Sequence, residues 1–248
     1  MKSVPLTARH ARSVATLHIQ GINTGFISSL GLDFVTALYE AIAKSASSFG
    51  FAVEDNDKVL GFVAFTTNLN RLYKSIIAKK GWRFALLLAG KMFSFKKIRK
   101  VFETLFYPSR VKKMDLPDAE LLSIAVDPEK YHNGLATELV RKSLEHCRKI
   151  GLDKVKVLVA AANEPANKLY RKCGFKLVGQ IDNHGVTSNI YQAATDTALL
   201  QNSSPKDSEP SIRPIRSEKT HPVLPPLEPV AVGFFATPRP KLRRRRSA

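Results

Sequence analysis

The sequence predicts an α/β fold, and three observations carry the prediction. Apolar runs of strand length alternate with segments whose apolar residues recur at helical spacing. Turn formers such as Asp55–Asn56–Asp57, Gly151 and Gly174 fall between them, and residues 121–139 lead from an apolar run through Asp127 and Pro128 into a small-residue loop that opens a helix. In chain order, residues 4–6 form a short strand, and Thr7 caps a helix over 8–20 on which Val14, Leu17 and His18 share a face. Phe34, Val35, Leu38, Tyr39 and Ile42 mark a second amphipathic helix over 33–45, and the apolar runs 49–54 and 59–67 flank the turn 55–58 as a hairpin.

The segment 68–117 is too long for a structureless loop in a compact domain. Helices are expected in it at 72–79, 82–93 and 97–106, with breaks at Gly81 and near Ser94 and a stop at Pro108. Residues 119–126 resume the sheet. The helix 134–150 turns Leu135, Leu139, Val140, Leu144 and Cys147 inward and stops at Gly151. Val155, Val157 and Val159 alternate with Lys154, Lys156 and Leu158, which reads as a strand edged toward solvent. A short helix over 165–173 and two strands, 175–181 and 186–193, around the turn 182–185 complete the domain.

Length and composition bound the rest. A chain of 248 residues with 44% apolar content holds one sizeable core, placed here in residues 1–195. Nine of the fourteen prolines follow residue 204, so 196–248 is expected to be a disordered, Pro-rich, basic tail. The net charge of +18 is uneven: residues 70–113 hold thirteen Lys or Arg against the single acid Glu103, and the tail from 201 holds ten against four. The remaining body is neutral, so the insertion and the tail are the parts fitted to meet anions. Two cysteines, Cys147 and Cys173, offer no disulfide framework, and His18, His132, His146 and His184 form no ligand set, so no metal is expected. Polar breaks in the first fourteen residues and the absence of a long apolar run suggest a cytoplasmic protein.

Two motifs carry chemistry. The start of the 134–150 helix leaves backbone N–H groups unpaired at its positive end, so Asn133, Gly134, Leu135, Ala136 and Thr137 can cradle a pyrophosphate, with His132 beside them. Gly134 and Ala136 suit close approach because they have almost no side chain. The second motif, residues 163–175 (NEPANKLYRKCGF), puts one tyrosine on a short helix between two strands, with Pro165 in the first turn and Gly174 just after the last.

Together these motifs resemble the two core motifs of the GCN5-related N-acetyltransferase (GNAT) family. The resemblance covers residues 119–179 and implies a mixed central sheet flanked by helices, here with a helical insertion between the third and fourth strands. It implies acetyl-CoA as co-substrate and direct acetyl transfer to a primary amine. The family pattern Gln/Arg-x-x-Gly-x-Gly/Ala is met at Gly134 and Ala136, whereas Tyr131 departs from it at the first position. By resemblance, Asn163 contacts the pantetheine arm and Asn167 is a further cofactor-binding residue, while main-chain groups of Ile124, Ala125 and Val126 pair with the pantetheine amides and polarise the thioester. Tyr170 lies near the sulfur, where a phenol acts as general acid to the leaving thiolate. Glu120 stands eleven residues before Tyr131, the spacing of the general-base glutamate in the histone-acetylating branch, and needs burial to raise its pKa. The other reading of Glu120 is a solvated acid at a strand start.

Acceptor choice is expected to lie in the insertion, with an amino sugar as one candidate and His184 lining the pocket. Trp82, Phe84, Leu86 and Phe93 interleaved with Arg83, Lys91 and Lys97 also compose a helix that could lie on an anionic membrane, at the inner face of the cytoplasm. The rival reading is therefore a non-catalytic GNAT-fold protein that associates with anionic membrane or polyanion through its basic segments. Nucleic acid is not expected as a partner, and a monomer or homodimer is.

Overall fold

Asn56 and Asp57 take left-handed backbone angles, φ 46° and 62°. Two such residues in succession make the turn whose twist matches a hairpin, and Asn and Asp tolerate that region better than other side chains. The turn joins β2 (Ser48–Asp55) to β3 (Lys58–Thr66), and the rest of the sheet grows from this pair. The computed structural model describes residues 1–23, 25–89, 115–130, 133–183, 186–196 and 231–233. Further strands are β1 (Lys2–Pro5), β4 (Glu120–Val126), β5 (Lys154–Ala160), β6 (Lys176–Asn183), β7 (Val186–Ala194) and the short β8 (Ala231–Gly233). Their order is β1-β2-β3-β4-β5-β7-β6, with β8 on β4. Among the described strands only β4 and β5 pair in parallel, so the sheet is mixed.

Helices cover both faces. On one side α1 (Ala11–Gly21) and α2 (Leu32–Ala43) bury Val14, Leu17, Val35, Tyr39 and Ile42 against Phe62, Ala64 and Leu122. On the other, α4 (Leu135–Lys149) and α5 (Glu164–Lys172) bury Leu139, Val140, Leu144 and Tyr170 against Val63, Ile124, Val155 and Val157. The inward residues expected on α4, including Cys147, are all buried.

The first helix begins as a 3-10 turn, Ala8–His10, with Thr7 at its N-cap as expected; the Thr7 backbone N–H donates to His10 Nδ1 at 2.9 Å and closes a capping box. Two expectations need correction. The insertion helix α3 (Leu69–Ala89) runs through Gly81 without a break. One interior glycine costs a helix only about 1 kcal/mol against Ala, and α3 is docked on α2 by Phe84 against Phe34 (ring centroids 5.1 Å apart) and by Arg83 donating to Glu40 at 2.7 Å. Finally, β5 is not edged toward solvent. It lies between β4 and β7, and its Lys156 is only 5% exposed. The helix expected at 97–106 and the end of that at 82–93 lie outside the described residues.

After β7 the chain is tied back at Thr195, whose N–H donates to Asp153 O at 2.9 Å. Beyond it the described chain resumes only at β8, a strand the sequence reading did not anticipate.

Candidate active site

The site is built where β4 and β5 part. Their parallel ladder consists of Glu120 opposite Lys156 and Leu121 opposite Val157. Beyond it β4 continues along β3 to Val126, while β5 continues along β7 to Ala160. An irregularity in the β3–β4 register between Ala64 and Phe65, opposite Ser123 and Leu121, bends β4 at the point of separation. The edge of β4 facing β5 is therefore released from residue 122 onward, and Ser123, Ile124 and Ala125 instead pair with β8.

At the far end of β4, Asp127 organises the turn toward α4. Its N–H donates to Leu60 O at 2.7 Å, its Oδ1 accepts from Glu129 N at 3.1 Å, and its Oδ2 meets Lys58 Nζ at 2.9 Å. The Lys58 hydrogen bond holds the Asp127 carboxyl below its ordinary range. Gly134 stands before α4 at φ 74°, a left-handed angle that glycine takes without strain. The first bond of the helix is Glu138 N to Gly134 O at 3.0 Å, so the N–H groups of Leu135, Ala136 and Thr137 precede any intrahelical bond. These residues line a cavity of about 280 Å³ together with Lys130 and, from α5, Pro165, Lys168 and Lys172. Three lysines and a helix N-terminus thus converge on one hollow, a donor set suited to a pyrophosphate. Asn133 is exposed and lines a neighbouring depression instead. Tyr131, His132 and His184 lie outside the described residues.

α5 is fixed by its polar residues. Asn163 caps it, accepting from Ala166 N at 3.2 Å. Asn167, 3% exposed, spends its whole side chain internally: Oδ1 accepts from Asn189 Nδ2 at 2.7 Å and Tyr191 OH at 2.9 Å, while Nδ2 donates to Asn163 O at 2.6 Å and Ala160 O at 3.0 Å. Any effect of Asn167 on a cofactor is then indirect, through the position of Asn163. Tyr170 is fully buried between Phe175 and Tyr191, and its hydroxyl has no hydrogen-bond partner. Burial pushes this phenol well above its ordinary pKa, so it stays protonated at any physiological pH.

Glu120 is buried, not a solvated acid at a strand start. It is 4% exposed, and its Oε2 lies 3.6 Å from Lys156 Nζ, which also donates to Pro117 O. Burial raises the Glu120 pKa and the Lys156 charge opposes the rise. The buried, unpartnered Tyr73 hydroxyl of α3 lies within the field of Glu120, whose charge raises the phenol pKa further. Among the described residues no group of three or more His, Cys, Asp or Glu side chains is placed to hold a metal ion.

The sequence model of the acetyltransferase (GNAT) family matches residues 23–175. The chain belongs to the GNAT acetyltransferase family. Over 62 residues, a quarter of this chain, it is 39% identical to a mycothiol acetyltransferase from Saccharomonospora viridis, and over 61 residues 41% identical to one from Thermobispora bispora. These alignments span about a fifth of the length of those curated relatives, 20% and 21%. Among solved structures, a GNAT-family protein from Desulfovibrio desulfuricans superposes with a TM-score of 0.51 at 14% identity, over 79% of this chain and 100% of that one. A chimera of the Vibrio cholerae spermidine N-acetyltransferase gives 0.52 at 18% identity, over 81% and 98%. Both show a common GNAT fold.

Sequence reasoning missed Lys130, Lys168, Lys172, Lys156 and Tyr73. Lys168 and Lys172 are one helical turn apart on α5, a spacing that marks a shared face; the others are brought in by tertiary structure alone.

Proposed function

We propose that this chain transfers the acetyl group of acetyl-CoA directly to a primary amine of a small-molecule acceptor, with an amino sugar as one candidate. The single observation that carries the reading is the fork between β4 and β5, with a cationic helix N-terminus at one end and the unpartnered Tyr170 hydroxyl on the helix alongside. In this reading the amides of 135–137 and the three lysines hold the diphosphate, and main-chain groups of Ile124, Ala125 and Val126 pair with the pantetheine arm. The curated relatives, named as mycothiol acetyltransferases, support a small-molecule acceptor.

The amine nitrogen attacks the thioester carbonyl, the carbon–sulfur bond breaks, and the amine proton passes to Glu120 directly or through water. A carboxyl raised by burial is better matched to this task than a solvated one. Tyr170 meets the departing thiolate. A phenol near ~10 and a thiol near ~8.5 make complete transfer in water uphill by about 2 kcal/mol, so the main contribution of Tyr170 is a hydrogen bond that strengthens as charge builds on sulfur. Tyr73, whose hydroxyl feels the charge of Glu120 from the insertion helix, would give α3 a part in acceptor choice.

The test is release of CoA thiol from acetyl-CoA across a panel of amino sugars and polyamines. Amine-dependent release is expected. Tyr170→Phe is expected to lower turnover by about a hundredfold with acetyl-CoA affinity within twofold. Unchanged turnover removes Tyr170 from the chemistry, and no amine-dependent release from any acceptor overturns the reading.

One observation favours a second reading, attachment to an anionic surface. On α3, Trp82 and Leu86 stand one turn apart and are 74% and 69% exposed, the apolar half of an interfacial helix. No helix among the described residues is long and apolar enough to cross a membrane. Co-sedimentation with phosphatidylserine vesicles, lost in Trp82→Ala/Leu86→Ala, would support surface attachment; it is compatible with catalysis.

A further inference from the structure

The released edge of β4 already has an occupant. Ala231–Gly233 lies antiparallel on it, with Ser123 opposite Gly233, Ile124 opposite Val232 and Ala125 opposite Ala231. β3 holds the other edge of β4 over the same residues, so β8 enters from the β5 side, inside the fork, and it also approaches β5 and α1. A strand edge offers its outward N–H and C=O groups to one partner at a time. Ile124 and Ala125 are the groups assigned above to the pantetheine amides.

The sequence explains why this segment forms a strand. Residues 230–236, Val-Ala-Val-Gly-Phe-Phe-Ala, form an uncharged, Pro-free apolar run bounded by Pro229 and Pro238, whereas the flanking sequence is dense in Pro, Ser and charge. Val and Phe favour pairing, and prolines end it. Residues 197–230, at ~3.3 Å per residue when extended, supply ample length to span from the end of β7 to the fork.

We propose that the open edge of β4 is a strand-accepting slot, filled by the chain's own 231–233 segment, and that acetyl-CoA binds only when this segment leaves. The proposal rests on the assignment of that edge to acetyl-CoA. Because the segment is tethered, it competes at an effective concentration in the millimolar range whatever the protein concentration. The apparent Kd of the competing ligand rises by the reciprocal of the fraction of open slot, so a slot filled nine-tenths of the time weakens binding about tenfold.

The experiment compares the full-length chain with the full-length variant Ala231→Pro/Gly233→Pro, which strips two strand N–H groups and leaves every residue of the site intact. Without any ligand, amide exchange over 122–126 is expected to be at least about tenfold faster in the variant, with exchange in β2 unchanged. Calorimetry is expected to show acetyl-CoA binding the variant roughly tenfold more tightly, and a synthetic peptide of residues 229–238 added in trans to weaken it again, in competition with acetyl-CoA. Equal exchange over 122–126 in the two proteins overturns the strand contact. Faster exchange with acetyl-CoA bound equally tightly by both overturns the shared slot alone. Faster exchange with no acetyl-CoA binding to either protein overturns the shared slot together with the functional reading on which it rests.

Discussion

The two halves of β4 belong to one strand and are held in opposite ways. In the first half, Glu120 and Leu121 are locked to β5 by a parallel ladder and by a buried ion pair between facing residues, Glu120 and Lys156. In the second, Ser123 to Ala125 have lost β5, and their edge takes a separate segment of chain. That half is braced from beneath: Ser123 Oγ meets Tyr39 OH at 2.7 Å, and Tyr39 OH meets His18 Nδ1 at 2.7 Å. A fork that must open at one end and stay shut at the other needs a strong crosslink at the closed end and support from below at the open one. Lys156 does the first and α1 and α2 do the second.

The largest expected effect breaks the closed half. Lys156→Met leaves the Glu120 carboxylate buried without its partner and should cost about 3–5 kcal/mol at neutral pH, read by urea unfolding. Glu120→Gln/Lys156→Met should restore most of the loss, since neither charge is then stranded. A loss below about 1 kcal/mol in the single variant would mean that the pair does not close the fork.

Acid should act next, on the open half. His18 is buried, its Nε2 has no partner, and burial lowers its pKa from 6.5 to about 3. The unfolded chain therefore binds the proton first: stability is unaffected above pH 6.5, falls as the pH drops below it, and stops falling once the folded His18 also titrates near pH 3. At pH 5 the loss is about 2 kcal/mol. In His18→Gln this part of the pH dependence should vanish, and an unaltered acid slope would show that other groups set it.

The smallest effect isolates the brace. Tyr39→Phe removes the hydroxyl shared by His18 and Ser123 and should cost about 1–2 kcal/mol, while leaving the effect of Lys156→Met unchanged. If the two substitutions are not additive, the two halves are one unit and the contrast between them fails.

Much of this arrangement is legible in the sequence because it is local. The hairpin turn at 55–58, the glycine that opens α4 and the Asn163–Gly174 frame of α5 each follow from neighbouring residues. Lys156 could not be read in this way. A lysine alternating with valines reads as a solvent face, and its burial is made tolerable by long-range partners, the Glu120 carboxylate and the Pro117 carbonyl. Gly81 misleads for the opposite reason: its local cost is small, and docking of Phe84 on α2 overrides it. The convergence of Lys130 with Lys168 and Lys172, the internal commitment of Asn167 and the capture of Ala231–Gly233 by β4 are likewise products of tertiary structure.

The most direct measurement is an amide-exchange footprint of acetyl-CoA on the full-length chain. Slower exchange at 134–137, protection kept over 122–126, and faster exchange over 230–236 is the expected result, because the ligand then grips the helix mouth and takes the edge of β4 from the tail. Exchange unchanged in all three segments at saturating acetyl-CoA would contradict the placement of the acetyl carrier in the fork.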